Sequence, residues 1–140
     1  MTLLVPHSPG VPEPSPTSVS RPFWDGCRRG VLLYQRCANG HAVFNPAARC
    51  RICLSDDLTW TESQGIGTVY TWSVVWRPQT PDFATPYAPV VVELDEGYQM
   101  ISSIVGCDHA EVRVGLRVAV EFHPIGGGFT LPYFSPVEGE

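Results

Sequence analysis

Long apolar runs, an excess of positive charge and the common catalytic signatures are all missing from this 140-residue chain. The longest apolar stretches, such as APVVVEL, fall far short of the ~20 residues a helix needs to cross a bilayer, so no membrane span is expected. Nine basic residues stand against fourteen acidic ones, a net charge of −5. That balance disfavours a general nucleic-acid binder, which needs a basic stripe to displace counterions from phosphates. No G-x-S-x-G elbow, Walker loop, strand-borne G-x-G-x-x-G or H-E-x-x-H occurs. The opening MTLLVPHSPG has no basic segment and its apolar stretch breaks at Pro6, which argues against a secretory leader. In such a chain five cysteines read as reduced thiols and metal ligands rather than a disulfide framework, and the cytoplasm is the expected compartment.

Proline and glycine are plentiful, fourteen and thirteen residues, which favours short strands and turns over long helices. Residues 1–19 are rich in Pro and Ser, show no periodicity, and read as a flexible tail. Residues 20–30 read as a short helix, with Ser20 as cap, Pro22 in the first turn and Gly30 as stop. Phe23, Trp24 and Cys27 share its packing face, Cys27 as a small buried hydrophobe. Residues 31–63 hold three extended pieces, VLLYQRC, AVFNPAARC and DDLTWTES, around a cysteine cluster. Residues 64–138 carry about five strand-like runs. Two of these are joined by Asp95-Glu96-Gly97, a three-residue hairpin loop with glycine where φ must be positive. Five short antiparallel strands fit a small closed barrel of the OB type, and spacing alone leaves an SH3-like barrel open. The expected fold class is mainly β.

The cluster RCANGHAVFNPAARCRIC, Arg36 to Cys53, carries the clearest chemistry. Cys50 and Cys53 form a C-x-x-C knuckle, with Arg49 and Arg51 beside the thiolates. Upstream, Cys37 lacks a cysteine partner three residues on; Gly40 stands there, followed by His41. A structural zinc takes four tetrahedral nitrogen or sulfur ligands. Cys37, His41, Cys50 and Cys53 therefore form a candidate Cys3His site for one Zn2+, and the alternative is a ribbon that has lost its metal and stands on packing alone. Cys27 and Cys107 are poor substitutes, one on the proposed helix and the other in a distant loop.

Catalytic candidates are thin, and no catalytic residue is assigned. Cys107, His109 and His123 have no visible partner, and Asp56 and Asp57 are adjacent and solvated. Trp72 and Trp76 lie four apart, a spacing that puts them on one face of a strand, and Phe83 and Tyr87 flank the Pro-rich connection that follows. These four are the candidates for a partner surface or an apolar channel, against a background of core packing.

The segments FWDGCRRGVLLYQRC, NPAARCRIC, LTWTESQGIGTVYTWSVV, APVVVELDEG, VRVGLRVAVEF and LPYF, in unbroken order over about residues 20–136, resemble the DUF35 family. The resemblance implies a short N-terminal helix, a rubredoxin-like zinc ribbon and a five-stranded OB-fold. Family zinc ligands fall on Cys37, Cys50 and Cys53, and the chain departs from the pattern at Gly40. It also implies a non-catalytic helper subunit of a thiolase-superfamily enzyme: a thiolase, an acyltransferase or a lipid-transfer-protein-like aldolase of steroid side-chain breakdown. Such a helper stabilises its partner, in a heterotetramer, and helps hold an acyl-CoA. Two other functions compete with this one. A ribbon/OB module can bind single-stranded nucleic acid, which the charge disfavours. An enzyme in its own right would use Cys107 or His109.

Overall fold

The computed structural model of the chain describes residues 2–137; Met1 and residue 138, the expected end of the barrel segment, lie outside them. Helix α1 spans Arg21–Arg28, with a proline in its first turn, where no amide hydrogen bond is required. Ser20 occupies the cap position without a side-chain cap bond; its hydroxyl instead accepts the Thr17 N–H at 2.9 Å. Gly30, with φ of 76°, turns the chain off the helix. Phe23 and Cys27 are buried beneath α1, and Trp24 packs partly against the same core.

Strands β1 (Leu33–Cys37), β2 (Ala42–Val43) and β3 (Leu58–Glu62) form an antiparallel sheet with β1 in the centre. Buried Gln35 on β1 ties this sheet to the following turn: its Nε2 donates to the Ala47 carbonyl at 2.9 Å and its Oε1 accepts the Ala47 N–H at 2.8 Å.

The second half is a closed barrel of β4 (Ile66–Trp72), β5 (Ala88–Leu94), β6 (Gln99–Ile104), β7 (Arg117–Pro124) and β8 (Thr130–Pro136), in the order β4-β5-β6-β8-β7. All pairs are antiparallel except β6 with β8, where the barrel closes through one parallel register pair, Ile104 with Phe134. Alternate residues fill the interior, as the strand period requires: Ala88, Val90, Val92 and Leu94 of β5 are buried together with Val69, Val118 and Phe134. The hairpin loop is the expected one, with Gly97 at φ of 100° and its N–H bonded to the Leu94 carbonyl. The Glu96 carboxylate of this loop accepts the Ser63 hydroxyl at 2.8 Å and the Gln64 N–H at 2.7 Å, pinning the link between ribbon and barrel.

Within residues 1–19, expected as a flexible tail, residues 3–11 lie along the barrel instead. Leu4 and Val11 are buried at 1% and 5% exposure, and Leu4 joins the main core. The composition signal fails here because two apolar anchors suffice to seat a segment whose polar groups bond to barrel loops.

Gly67 of β4 lies so close to β5 that a Cβ would overlap the Glu93 carbonyl oxygen. Gly67→Ala should therefore lower the unfolding free energy by about 1–3 kcal/mol, as overpacking does elsewhere, read from the midpoint of urea denaturation.

Candidate functional site

Two turns bring the four ribbon candidates together. Cys37 ends β1, and the chain reverses through Gly40, whose φ of 86° suits glycine. The Gly40 N–H bonds the Cys37 carbonyl at 2.9 Å, and the next residue, His41, points Nδ1 back at the Cys37 Sγ, 3.3 Å away. The second turn is closed by the Leu54 N–H on the Cys50 carbonyl at 2.8 Å. Cys37, His41, Cys50 and Cys53 place one donor atom each within 4.8 Å of all the others.

Zinc bonds of ~2.3 Å to sulfur and ~2.0 Å to nitrogen at tetrahedral angles set sulfur–sulfur edges of about 3.8 Å and sulfur–nitrogen edges of about 3.5 Å. Here Cys37 and Cys53 sulfurs are 3.7 Å apart, and the His41 Nδ1 lies 3.3 Å and 3.6 Å from the Cys37 and Cys50 sulfurs. The residues present fit the metal. Gly40 offers no sulfur, and the imidazole one position later is placed where it can supply the fourth corner.

Hydrogen bonding favours the thiolate at Cys53, whereas burial opposes it at Cys37. The Asn39 amide donates to the Cys53 sulfur at 3.3 Å, and chiefly through this bond the Cys53 thiol falls to about 6; burial pushes Cys37 upward. The arginines do something other than face the sulfurs. Arg36 donates to the Gly40 carbonyl, Arg49 to that of Leu54 and Arg51 to that of Phe44, so each braces a turn. Behind the ligands, Cys37, Val43 and Cys50 form only a small separate core with Ala47, Cys53 and Leu58 against it. A module of that size needs a cross-link to hold its shape.

A cavity of about 440 Å³ opens where α1, the ribbon turn at Phe44–Pro46 and strands β6 and β8 meet. Phe23, Trp24, Phe44, Met100 and Leu131 make most of its walls apolar, with Tyr133 and His7 at one side. Among the described residues no Arg, Asp or Glu lines it. Sequence reasoning missed this cavity, since its walls come from five separated stretches of chain.

The four aromatic candidates do not form one surface. Strand β4 ends at Trp72, so the two-residue period does not carry on to Trp76. Trp72 packs partly against the barrel core, whereas Trp76 is 62% exposed and meets the His109 ring edge-on at 5.0 Å. Phe83 and Tyr87 do belong together, stacked at 6.0 Å, and both enclose His7 of the N-terminal segment. Cys107 is buried and its thiol is pushed up to about 11, first by burial and then by Glu111 and Asp108. His123 bonds to Glu121 on the same strand. No described hydrogen bond links Cys107 to a histidine.

Two family models match in tandem: the ChsH2 rubredoxin-like zinc ribbon domain over residues 24–59 and the ChsH2 C-terminal OB-fold domain over residues 60–123. A DUF35 domain-containing scaffold protein of Pyrococcus furiosus is 30% identical over 105 residues, 74% of this chain and 76% of that one. A probable enoyl-CoA hydratase alpha subunit of Thermomonospora curvata is 32% identical over 116 residues, 81% of this chain but 36% of the relative, so the chain spans about a third of that subunit's length. Among solved structures, a chain of the Ltp2-ChsH2(DUF35) aldolase matches with a TM-score of 0.82 and 29% identity, covering 89% of this chain and 98% of that one.

The ligand geometry predicts about one zinc per chain by elemental mass spectrometry. His41→Ala should weaken zinc affinity by more than about a hundredfold, beyond the loss seen when a hydrogen-bond partner of a ligand is removed, in a chelator competition titration. Unchanged affinity would show that His41 is not a ligand.

Proposed function

The chain belongs to the DUF35 family in its ChsH2-type form, a rubredoxin-like zinc ribbon followed by an OB-fold, and from that premise we propose that it is a non-catalytic accessory subunit of an enzyme acting on CoA thioesters. The partner is a thiolase-superfamily protein, and the pair acts on a steroid- or fatty-acid-like acyl chain. The likeness to the DUF35 chain of an aldolase, over nearly that chain's whole length, carries this reading. Burial of Cys107, which pushes its thiol up to about 11, disfavours that residue as a nucleophile at neutral pH.

In this role Cys37, His41, Cys50 and Cys53 hold one zinc, which supplies the cross-link that the small ribbon core does not. The cavity at the ribbon–barrel junction accepts the apolar or pantetheine part of the thioester. Among the described residues its walls carry no cationic side chain apart from a potential charge on His7, so the CoA phosphates lie on the partner. Trp76 is the docking candidate, being large and exposed. Trp72 borders an open apolar groove beside Val91 and Ile101 and extends the contact surface. Phe83 and Tyr87 act through the N-terminal segment they hold.

Affinity purification from the source cell should recover a thiolase-superfamily protein at equal stoichiometry. Trp76→Ala should then weaken the complex at least about tenfold with no change in thermal midpoint. Recovery of a hydratase would redirect the partner assignment, and recovery of the chain alone or with nucleic acid would refute the accessory role.

A further inference from the structure

The N-terminal segment crosses the outside of the barrel as a strap with few bonds of its own. The Leu4 N–H donates to the Cys107 carbonyl at 2.8 Å, and the Leu4 carbonyl accepts the Gly106 N–H at 2.9 Å. Further along, the His7 N–H donates to the Tyr133 hydroxyl, the Ser8 N–H to the Asp82 carbonyl, and the Pro9 carbonyl accepts the Gly126 N–H. Prolines at 6, 9 and 12 keep the strap from forming a regular ladder. Between its two apolar anchors, Leu4 and Val11, the one side chain inserted into the body of the protein through rings is His7.

The His7 imidazole sits in a three-ring cage, 4.9 Å from Phe83, 4.6 Å from Tyr87 and 6.3 Å from Tyr133 by ring centroids. Its Nδ1 lies 3.0 Å from the Ala84 backbone nitrogen. A backbone N–H can only donate, so Nδ1 must accept, and the docked ring is the neutral tautomer protonated on Nε2. The same side chain and Tyr133 form one side of the 440 Å³ cavity.

We propose that residues 3–12 are a pH-sensitive strap that closes one side of the cavity and is latched by neutral His7. Protonation puts a proton on Nδ1 facing the Ala84 N–H, turning a hydrogen bond into a clash of two donors, and places a charge in a half-buried aromatic site. The other titratable groups around the cage do not compensate. Tyr87 accepts a bond from Gln79 and Tyr133 accepts the His7 N–H. His123 lies against the far side of Tyr133 and is bonded to Glu121. Asp82, the nearest acid on the loop, accepts the Ser8 hydroxyl at 3.1 Å, and among the described residues no carboxylate forms an ion pair with His7. Burial also holds the His7 pKa below its ordinary value. A depressed pKa in the docked state means the latch is complete above the free imidazole's ~6.5 and weakens as pH falls through and below it.

The use of the cavity by an acyl-CoA rests on the function proposed above, but the latch does not, and the test reads the latch directly. Hydrogen exchange of the full chain at pH 7.5 and 5.0, corrected for intrinsic rates, should show the Leu4, Ser8, Ala84 and Gly126 amides opening about tenfold more at pH 5.0, within the ~30-fold that an imidazole of pKa ~6.5 allows. The Val92 amide in the barrel should be unchanged. His7→Phe fills the cage without titrating and should abolish the pH effect; His7→Ala should open the same amides at both pH values. Binding of an apolar fluorescent dye should rise with the exchange in the native chain and not in His7→Phe. Equal protection at both pH values, or a pH effect that persists in His7→Phe, overturns the latch. Released amides without added dye binding overturn the gating. Partner recovery at pH 7.5, where the strap is docked, tests the accessory role separately.

Discussion

Tyr98 is the joint on which the arrangement depends. It follows the β5–β6 loop and is sandwiched between two rings of the ribbon half, Tyr34 at 4.8 Å and Phe44 at 5.2 Å, with interplanar angles of 23° and 18°. Phe44 in turn meets Phe23 of α1 at 5.4 Å. Offset aromatic pairs contribute about 0.5–1.5 kcal/mol each beyond the area they bury, and here the chain of contacts runs from barrel to ribbon to helix without a break. Glu96, two residues earlier, holds the connecting segment through Ser63 and Gln64. One three-residue stretch, Glu96 to Tyr98, thus fixes both the path of the linker and the seat of the ribbon.

The ribbon shows how little side-chain change a metal site tolerates and how it can be met. A tetrahedral centre needs a donor at each corner, not a given residue at a given position. With glycine at position 40 the turn has a left-handed backbone, and the His41 ring places a donor within 4.8 Å of the three sulfurs. As a zinc ligand an imidazole would be neutral where a thiolate is charged, so a Cys3His set would carry three negative charges instead of four. The arginines around it brace carbonyls.

Much of this was legible in the sequence, for identifiable reasons. The barrel strands are marked by alternating apolar residues such as Val90, Val92 and Leu94, and the tight hairpin by Gly97. The metal candidates are marked by spacing, because ligands on short turns must be neighbours in sequence. The docking of the N-terminal segment is not legible because its buried apolar anchors are only Leu4 and Val11, too sparse a signal against a Pro- and Ser-rich background. Trp72 and Trp76 were read as one face because the period was extended past the end of β4. The cavity was invisible because Phe23, Phe44, Met100 and Leu131 meet only through the tertiary fold.

The closure of the barrel has a mechanical meaning. Between β6 and β8 the ladder is reduced to one register pair, supplemented by the Val105 N–H on the Phe134 carbonyl and the Ser102 hydroxyl on the Pro132 carbonyl. Every other seam is an antiparallel ladder of several residues. The cavity runs along this one thin seam, lined on one bank by residues 100–103 and on the other by 131–133. A guest wider than the resting gap can therefore spread the two banks at the expense of few hydrogen bonds, while the remaining four seams keep the cylinder round. Compliance is confined to the wall where a guest would press.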